Sequence, residues 1–293
     1  MSAHTAAAAA PDTLAAPALD HAFTLIQRND YSLFSSKEMK KLTKINREDV
    51  SHCKCDTAGH DCSDEACVNR AMKEEGIYVC HGGTTCRNQR IQGNQRAPIE
   101  VFDAGDKGRG LRALEALGRD TFILEYVGDV VNERQLKRRL RQYRKEGRRH
   151  RYIMELDKKK RLYVDSTKKA NISRYMNHCC EPNCYVEVWH CGGENRAAFF
   201  TLKPVAKGEE LVFDYHWEAL GETSLIECQC GTAKCHGFVD YVPHREGWDG
   251  WGDDNEEDGN SEDDAAEEAA EAAAVAASKS SRKKSSRRSS GTS

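Results

Sequence analysis

The sequence predicts a mainly β chain with minor α content, flanked by two small zinc-binding modules. Three observations point there. The 13 cysteines are clustered: six lie between Cys53 and Cys86, four between Cys179 and Cys191, and three between Cys228 and Cys235. Between the first two clusters runs a cysteine-free stretch of short β-branched and aromatic segments punctuated by glycine, the text of short strands. The two ends lack the material of a core. Residues 1 to 19 are Ala-rich, and residues 252 to 293 hold no aromatic and almost no large aliphatic side chain, so neither end buries enough apolar surface to offset its ordering entropy. About 225 residues remain for folding.

Residues 1–21 are expected to be a disordered Ala-rich start, and residues 22–97 an N-terminal segment with the first cysteine-rich module. The central domain, residues 98–217, opens with strand text at Ile99-Glu100-Val101-Phe102 and continues at Thr121-Phe122-Ile123-Leu124-Glu125-Tyr126-Val127. From Asn132 to about Gly147, Leu136, Leu140 and Tyr143 recur at helical spacing, which predicts one amphipathic helix. More strands are predicted at Tyr152–Met154, Leu162–Val164, Tyr185–Trp189, Ala198–Thr201 and Leu211–Phe213. Residues 218–243 form the second cysteine-rich module, and residues 244–293 a disordered tail, first acidic and then basic.

Zinc takes four thiolate or imidazole ligands in a tetrahedron, and closely spaced cysteines let one tight turn present several sulfurs to one ion. Cys228-x-Cys230-x4-Cys235, with Gly231 in the turn, supplies three ligands and needs a fourth, for which Cys180 and Cys184 are the candidates. The first cluster, Cys53, Cys55, Cys62, Cys67, Cys80 and Cys86, holds six thiols with few large apolar residues between them. Such a segment folds around metal. Two separate ions need eight ligands and two sharing a thiolate need seven, so His52, His60, Glu75, His81 or water would complete a second site.

The net charge of -3 conceals a partition: residues 248–293 hold 12 acidic and 6 basic side chains, so the first 247 residues carry 38 basic against 35 acidic. Ten Lys or Arg residues fall between Arg134 and Arg151 against Glu146 alone, a charge density suited to DNA phosphates as well as to a solvated helix face. No apolar run approaches the roughly 18 residues of a membrane span, and the Ala-rich start lacks the basic flank of a secretory signal. An intracellular, reduced compartment is therefore expected, in which clustered thiols ligate metal. Arg282-Lys283-Lys284 and Arg287-Arg288 fit a nuclear localisation signal.

Arg174-Tyr175-Met176-Asn177-His178-Cys179-Cys180-Glu181-Pro182-Asn183-Cys184 resembles the signature of SET-domain methyltransferases. Three further blocks stand in the order that family requires: Lys107-Gly108-Arg109-Gly110-Leu111, Glu125-Tyr126-Val127-Gly128 and Glu210-Leu211-Val212-Phe213-Asp214-Tyr215. The flanking cysteine-rich segments resemble the family's associated-with-SET and post-SET zinc modules, and with Asn88-Gln89-Arg90-Ile91-Gln92 at the junction the arrangement is similar to the subgroup acting on lysine 36 of histone H3. In that pattern Cys180 is the fourth post-SET ligand, Cys179 stands in place of serine and Ala170 in place of glycine.

The resemblance implies a SET-domain β-clip fold with knot-like C-terminal threading, and an enzyme that is nuclear and chromatin-associated. Its cofactors would be S-adenosylmethionine and Zn2+, with one ion in the post-SET module and one or two in the N-terminal cluster. Its substrate would be a histone tail on a nucleosome. It assigns cofactor binding to Lys107, Gly108, Arg109, His150, Arg151, Tyr152, Asn177 and His178. The catalytic hydroxyl would be Tyr215, with Tyr126 and Phe213 lining a lysine channel. Such a channel has physical sense. Holding a lysine of pKa about 10.4 neutral at pH 7 costs roughly 4 to 5 kcal/mol in water, whereas an apolar slot facing a sulfonium disfavours the ammonium by desolvation and like charge. A phenylalanine at 213, where the family carries either Tyr or Phe, leaves room for a di- or trimethylated product. The same chemistry on another lysine, or a weakly active chromatin-binding module, would share these motifs.

Overall fold

The computed structural model describes residues 23–43, 74–75, 88–147, 152–191, 193–215 and 226–239. All six cysteines of the first cluster, and His150 and Arg151, lie outside them. The elements in chain order are β1 (Thr24–Leu25), α1 (Ser36–Leu42), β2 (Glu74–Glu75), β3 (Ile99–Asp103), β4 (Arg109–Ala113), β5 (Phe122–Tyr126), β6 (Asp129–Asn132), α2 (Glu133–Lys145), β7 (Ile153–Asp157), β8 (Leu162–Asp165), β9 (Lys169–Ala170), β10 (Asn177–His178), β11 (Cys184–Cys191), β12 (Glu194–Thr201) and β13 (Glu210–Phe213). A 3-10 turn, Ile172–Tyr175, precedes β10.

The described strands form small sheets: β1-β9, β10-β13-β4-β3, β2-β11-β12-β5 and β6-β8-β7. Every strand and the helix expected in the central domain are present, within a few residues at each end. β4, β6 and the two-residue β9 and β10 were not expected. β4 reads Arg-Gly-Leu-Arg-Ala, a poor strand by propensity, and forms because β3 and β13 pair with it on both sides. Its Gly110 has a steric reason: a Cβ there would sit 2.7 Å from the Phe102 ring and 2.9 Å from the Glu210 carboxylate.

α2 starts where the sequence places it because Asn132 and Gln135 form a reciprocal capping box: Asn132 Oδ1 accepts from the Gln135 N–H at 2.9 Å, and Gln135 Oε1 from the Asn132 N–H at 3.0 Å. Leu136, Leu140 and Tyr143 bury as predicted. Arg139 buries with them. Its guanidinium donates to Asp129 Oδ2 and Asp165 Oδ2, both at 2.9 Å, and the Tyr143 hydroxyl donates to Asp165 Oδ2 at 2.7 Å. Lys169 reaches Asp129 Oδ1 and Asp30 Oδ2, which ties the N-terminal segment to the same ionic knot.

The main core gathers Leu111, Ile123, Leu124, Tyr126, Val130, Val164, Met176, Phe199, Leu211 and Phe213 from three of these sheets, with Met176 just before β10. β13 is the strand that matters for the site. It runs between β10, parallel to it with Asn177 opposite Val212 and His178 opposite Phe213, and β4, antiparallel to it. The signature block thus packs beside the Phe213-Asp214-Tyr215 segment.

Candidate active site and metal centre

Four aromatic rings form a continuous row through the site. Tyr126 at the end of β5 meets Phe199 of β12 edge-on, with ring centroids 6.1 Å apart; Phe199 meets Phe213 at 4.7 Å, and Phe213 meets Tyr215 at 4.8 Å. The three predicted aromatics converge, joined by a ring the sequence reading placed only in a strand. Nothing in Ala198-Phe199-Phe200 distinguishes the residue that faces the site from its neighbour, because the register of β12 against β5 and β11 decides it.

The Tyr215 hydroxyl donates to the Met176 carbonyl at 2.9 Å, so its proton is spent and its oxygen lone pairs face elsewhere. Burial pushes this phenol well above its ordinary 10.0, with Tyr152 and the Glu210 carboxylate adding to the rise. Tyr126 is also held well above that value, by burial first. Both are therefore neutral hydroxyls at physiological pH, able to hydrogen-bond and unable to act as phenolate bases.

His178 joins Tyr215 to the cysteine centre. Its Nδ1 accepts from the Tyr215 N–H at 3.2 Å, which leaves Nε2 to carry the proton toward Cys180 Sγ at 3.4 Å. Its ring also packs edge-on against Tyr215 at 5.4 Å. Both ring nitrogens are thereby engaged inside the protein.

Asn177 donates through Nδ2 to the Arg109 carbonyl at 3.0 Å and to Glu210 Oε1 at 2.8 Å. Lys107 is paired with the other oxygen of the same carboxylate. Arg109 lies 6.0 Å over the Tyr175 ring, and Tyr152 stacks on one face of Arg174 at 4.0 Å while Phe23 covers Arg174 at 4.4 Å. Gly108 has φ 76° and nothing within 4 Å of the place a Cβ would occupy, so this turn faces open space with its backbone exposed to a ligand. Open space beside a glycine turn, an amide oxygen at Asn177 and neutral hydroxyls suit a polar adenosyl cofactor.

Cys180, Cys228, Cys230 and Cys235 bring their sulfurs within 4.8 Å of one another. Zn–S bonds of about 2.3 Å in a tetrahedron need sulfurs about 3.8 Å apart, and Cys180 and Cys228 already stand at 3.8 Å. The Gly237 N–H points at Cys235 Sγ at 3.4 Å and the His236 N–H at Cys180 Sγ at 3.5 Å, donors that stabilise thiolates. The donor set fits zinc. Of the two candidates for the fourth ligand, Cys180 is the one in place. Cys184 is buried at the start of β11, its thiol pushed up to about 12 by burial.

Residues 108–216 match the SET domain family, and this region is a SET domain. Among relatives, a protein named histone-lysine N-methyltransferase, H3 lysine-36 specific, of Aspergillus fumigatus is 44% identical over 176 residues, covering 60% of this chain and 18% of the relative. The protein of the same name from Gibberella zeae is 39% identical over 222 residues, covering 73% of this chain and 23% of the relative. Human histone-lysine N-methyltransferase SETD2 is 38% identical over 224 residues, 74% of this chain and 8% of the relative. The chain thus spans under a quarter of the length of these relatives.

Proposed function

We propose that this chain is an S-adenosylmethionine-dependent protein-lysine N-methyltransferase acting on lysine 36 of histone H3. The observation that carries the proposal is the aromatic row ending in the neutral, carbonyl-held hydroxyl of Tyr215, set next to Asn177 and the Gly108 turn in a SET domain. When bound, S-adenosylmethionine supplies an electrophilic methyl group. Gly108 and Arg109 of the turn, Asn177, His178 and Tyr152 would hold it, with His150, Arg151 and Lys107 completing the set. Tyr126, Phe199 and Phe213 keep water from the target amine and so favour its neutral form. Tyr215, its proton committed to Met176, offers lone pairs that orient the amine and its remaining hydrogens. Phe213 adds no hydroxyl to the channel, which favours di- or trimethylation.

Zn2+ would occupy the Cys180, Cys228, Cys230, Cys235 centre, with one or two more ions at Cys53, Cys55, Cys62, Cys67, Cys80 and Cys86. The catalytic unit is residues 98–217, and the protein works in the nucleus on chromatin. The exposed basic side chains of α2, Arg134, Arg141, Arg144 and Lys145, support a contact with nucleosomal DNA through residues 134–151. That contact would weaken steeply with salt for nucleosomes and not for a free tail peptide.

The test is transfer of labelled methyl from S-adenosylmethionine to recombinant nucleosomes. Label on wild-type H3, lost when arginine replaces lysine 36, is the expected result. Label retained on that variant reassigns the target, and binding without transfer leaves a chromatin-binding module.

A further inference from the structure

We infer that Glu210 is a positioning residue that presets Asn177 for the cofactor, an inference that rests on the proposed methyltransferase reading. An asparagine amide has two faces, and a ligand meets either a donor or an acceptor depending on which way it is turned. Here the turn is fixed from inside the protein. Asn177 Nδ2 has two hydrogens, and both are spent: one on the Arg109 carbonyl at 3.0 Å, the other on Glu210 Oε1 at 2.8 Å. A flipped amide would set its oxygen against a carbonyl oxygen and a carboxylate oxygen, two repulsive contacts in place of two hydrogen bonds. Oδ1 is thus the atom offered to a ligand, and it demands a donor.

The carboxylate is itself held. Its other oxygen takes the Lys107 ammonium, so the charge is neutralised beside the turn that precedes Gly108. The strand order supplies the placement, since β13 lies between β10, which carries Asn177, and β4, which begins at Arg109. Gly110 belongs to the same device: only a residue without a Cβ leaves room for Glu210 Oε1, 2.9 Å from where that atom would be. One side chain therefore locks the amide on one neighbouring strand and the lysine of the turn before the other, and it does so without being a cofactor ligand.

The experiment compares Glu210→Ala, Glu210→Gln, Asn177→Ala and the double alanine variant in the full chain. S-adenosylmethionine affinity is read by calorimetry, independently of turnover, with both Michaelis constants and the thermal midpoint measured alongside. Glu210→Ala is expected to weaken cofactor affinity at least about 10-fold, on the scale of one lost charge-assisted hydrogen bond, with the histone Michaelis constant and the midpoint nearly unchanged. Glu210→Gln keeps an acceptor for Asn177 and should stay within about 3-fold of the parent. Asn177→Ala should add little in the Glu210→Ala background.

A Gln variant as weak as the Ala variant, additive losses at 177 and 210, or a parallel loss for both substrates with a lowered midpoint overturns the inference. A parent chain that binds the cofactor and transfers no methyl sinks the methyltransferase reading alone, because the affinities still report on Glu210. A parent chain that does not bind S-adenosylmethionine sinks both.

Discussion

At the scale of single residues, the site depends on protons being in particular places. The Tyr215 hydroxyl donates to a main-chain carbonyl, and burial keeps it a phenol. Replacing it with phenylalanine removes the lone pairs from the site and leaves the Met176 carbonyl unpaired. Turnover should fall at least about 100-fold, the usual scale for one preorganised polar group, while stability falls by only about 1 kcal/mol. Single-turnover kinetics and a urea midpoint on the same protein separate the two effects. Phe213→Tyr adds a hydroxyl between Phe199 and Tyr215, whose rings lie 4.7 and 4.8 Å from that of Phe213. Mass spectrometry of the product should show the distribution moving toward monomethyl-lysine; an unchanged distribution would remove Phe213 from control of product.

At the scale of elements, α2 is the instructive case. Its caps and its Leu136, Leu140 and Tyr143 stripe were legible because both are local patterns. The role of Arg139 was not: it sits in the text as one basic residue among ten, and only the meeting of β6 and β8 against the helix turns it inward, against Asp129 and Asp165. Arg139→Ala would take the counter-charge from the fully buried Asp165 carboxylate, which would keep only neutral donors such as the Tyr143 hydroxyl, and leave Asp129 to Lys169. A loss of about 3 to 5 kcal/mol is expected, as for other broken buried ion pairs. Arg141→Ala, at an exposed position two residues further along the same helix, should change the urea midpoint little, and equal effects in the two variants would contradict the buried network.

At the scale of the whole molecule, two linkages extend beyond one element. Tyr31, Tyr126, Tyr143 and Tyr215 all have phenols held above their ordinary 10.0, burial being the first cause in each. Above pH 10 the unfolded chain releases these protons and the folded chain keeps them, so stability declines as pH rises. With four such groups the slope approaches about 5 kcal/mol per pH unit, and denaturant midpoints between pH 9 and 11 should show the decline beginning near 10; a flat profile would contradict it. The second linkage runs through the metal centre. Cys180 belongs to both the signature block and the cysteine cluster, and His178 connects it to Tyr215. Cys180→Ser should cost one zinc per chain by elemental analysis and lower methyl transfer with it. Full activity with that zinc missing would break the proposed connection.

The sequence by itself determined the class of the molecule: a β domain with a long cysteine-free stretch between cysteine clusters, four ordered motifs, and Tyr215, Tyr126 and Phe213 as the aromatics that matter. These are legible because spacing, turn chemistry and side-chain type are properties of short stretches of chain. Only the tertiary structure decided that Phe199 completes the aromatic row, that Cys180 rather than Cys184 joins the centre, that both ring nitrogens of His178 turn inward, and that β4 is a strand. It also placed the Glu210 carboxylate between Asn177 and Lys107. Each of these depends on which strands become neighbours and in what register. A hydrogen bond across 33 or 103 residues of chain leaves no local mark in the text.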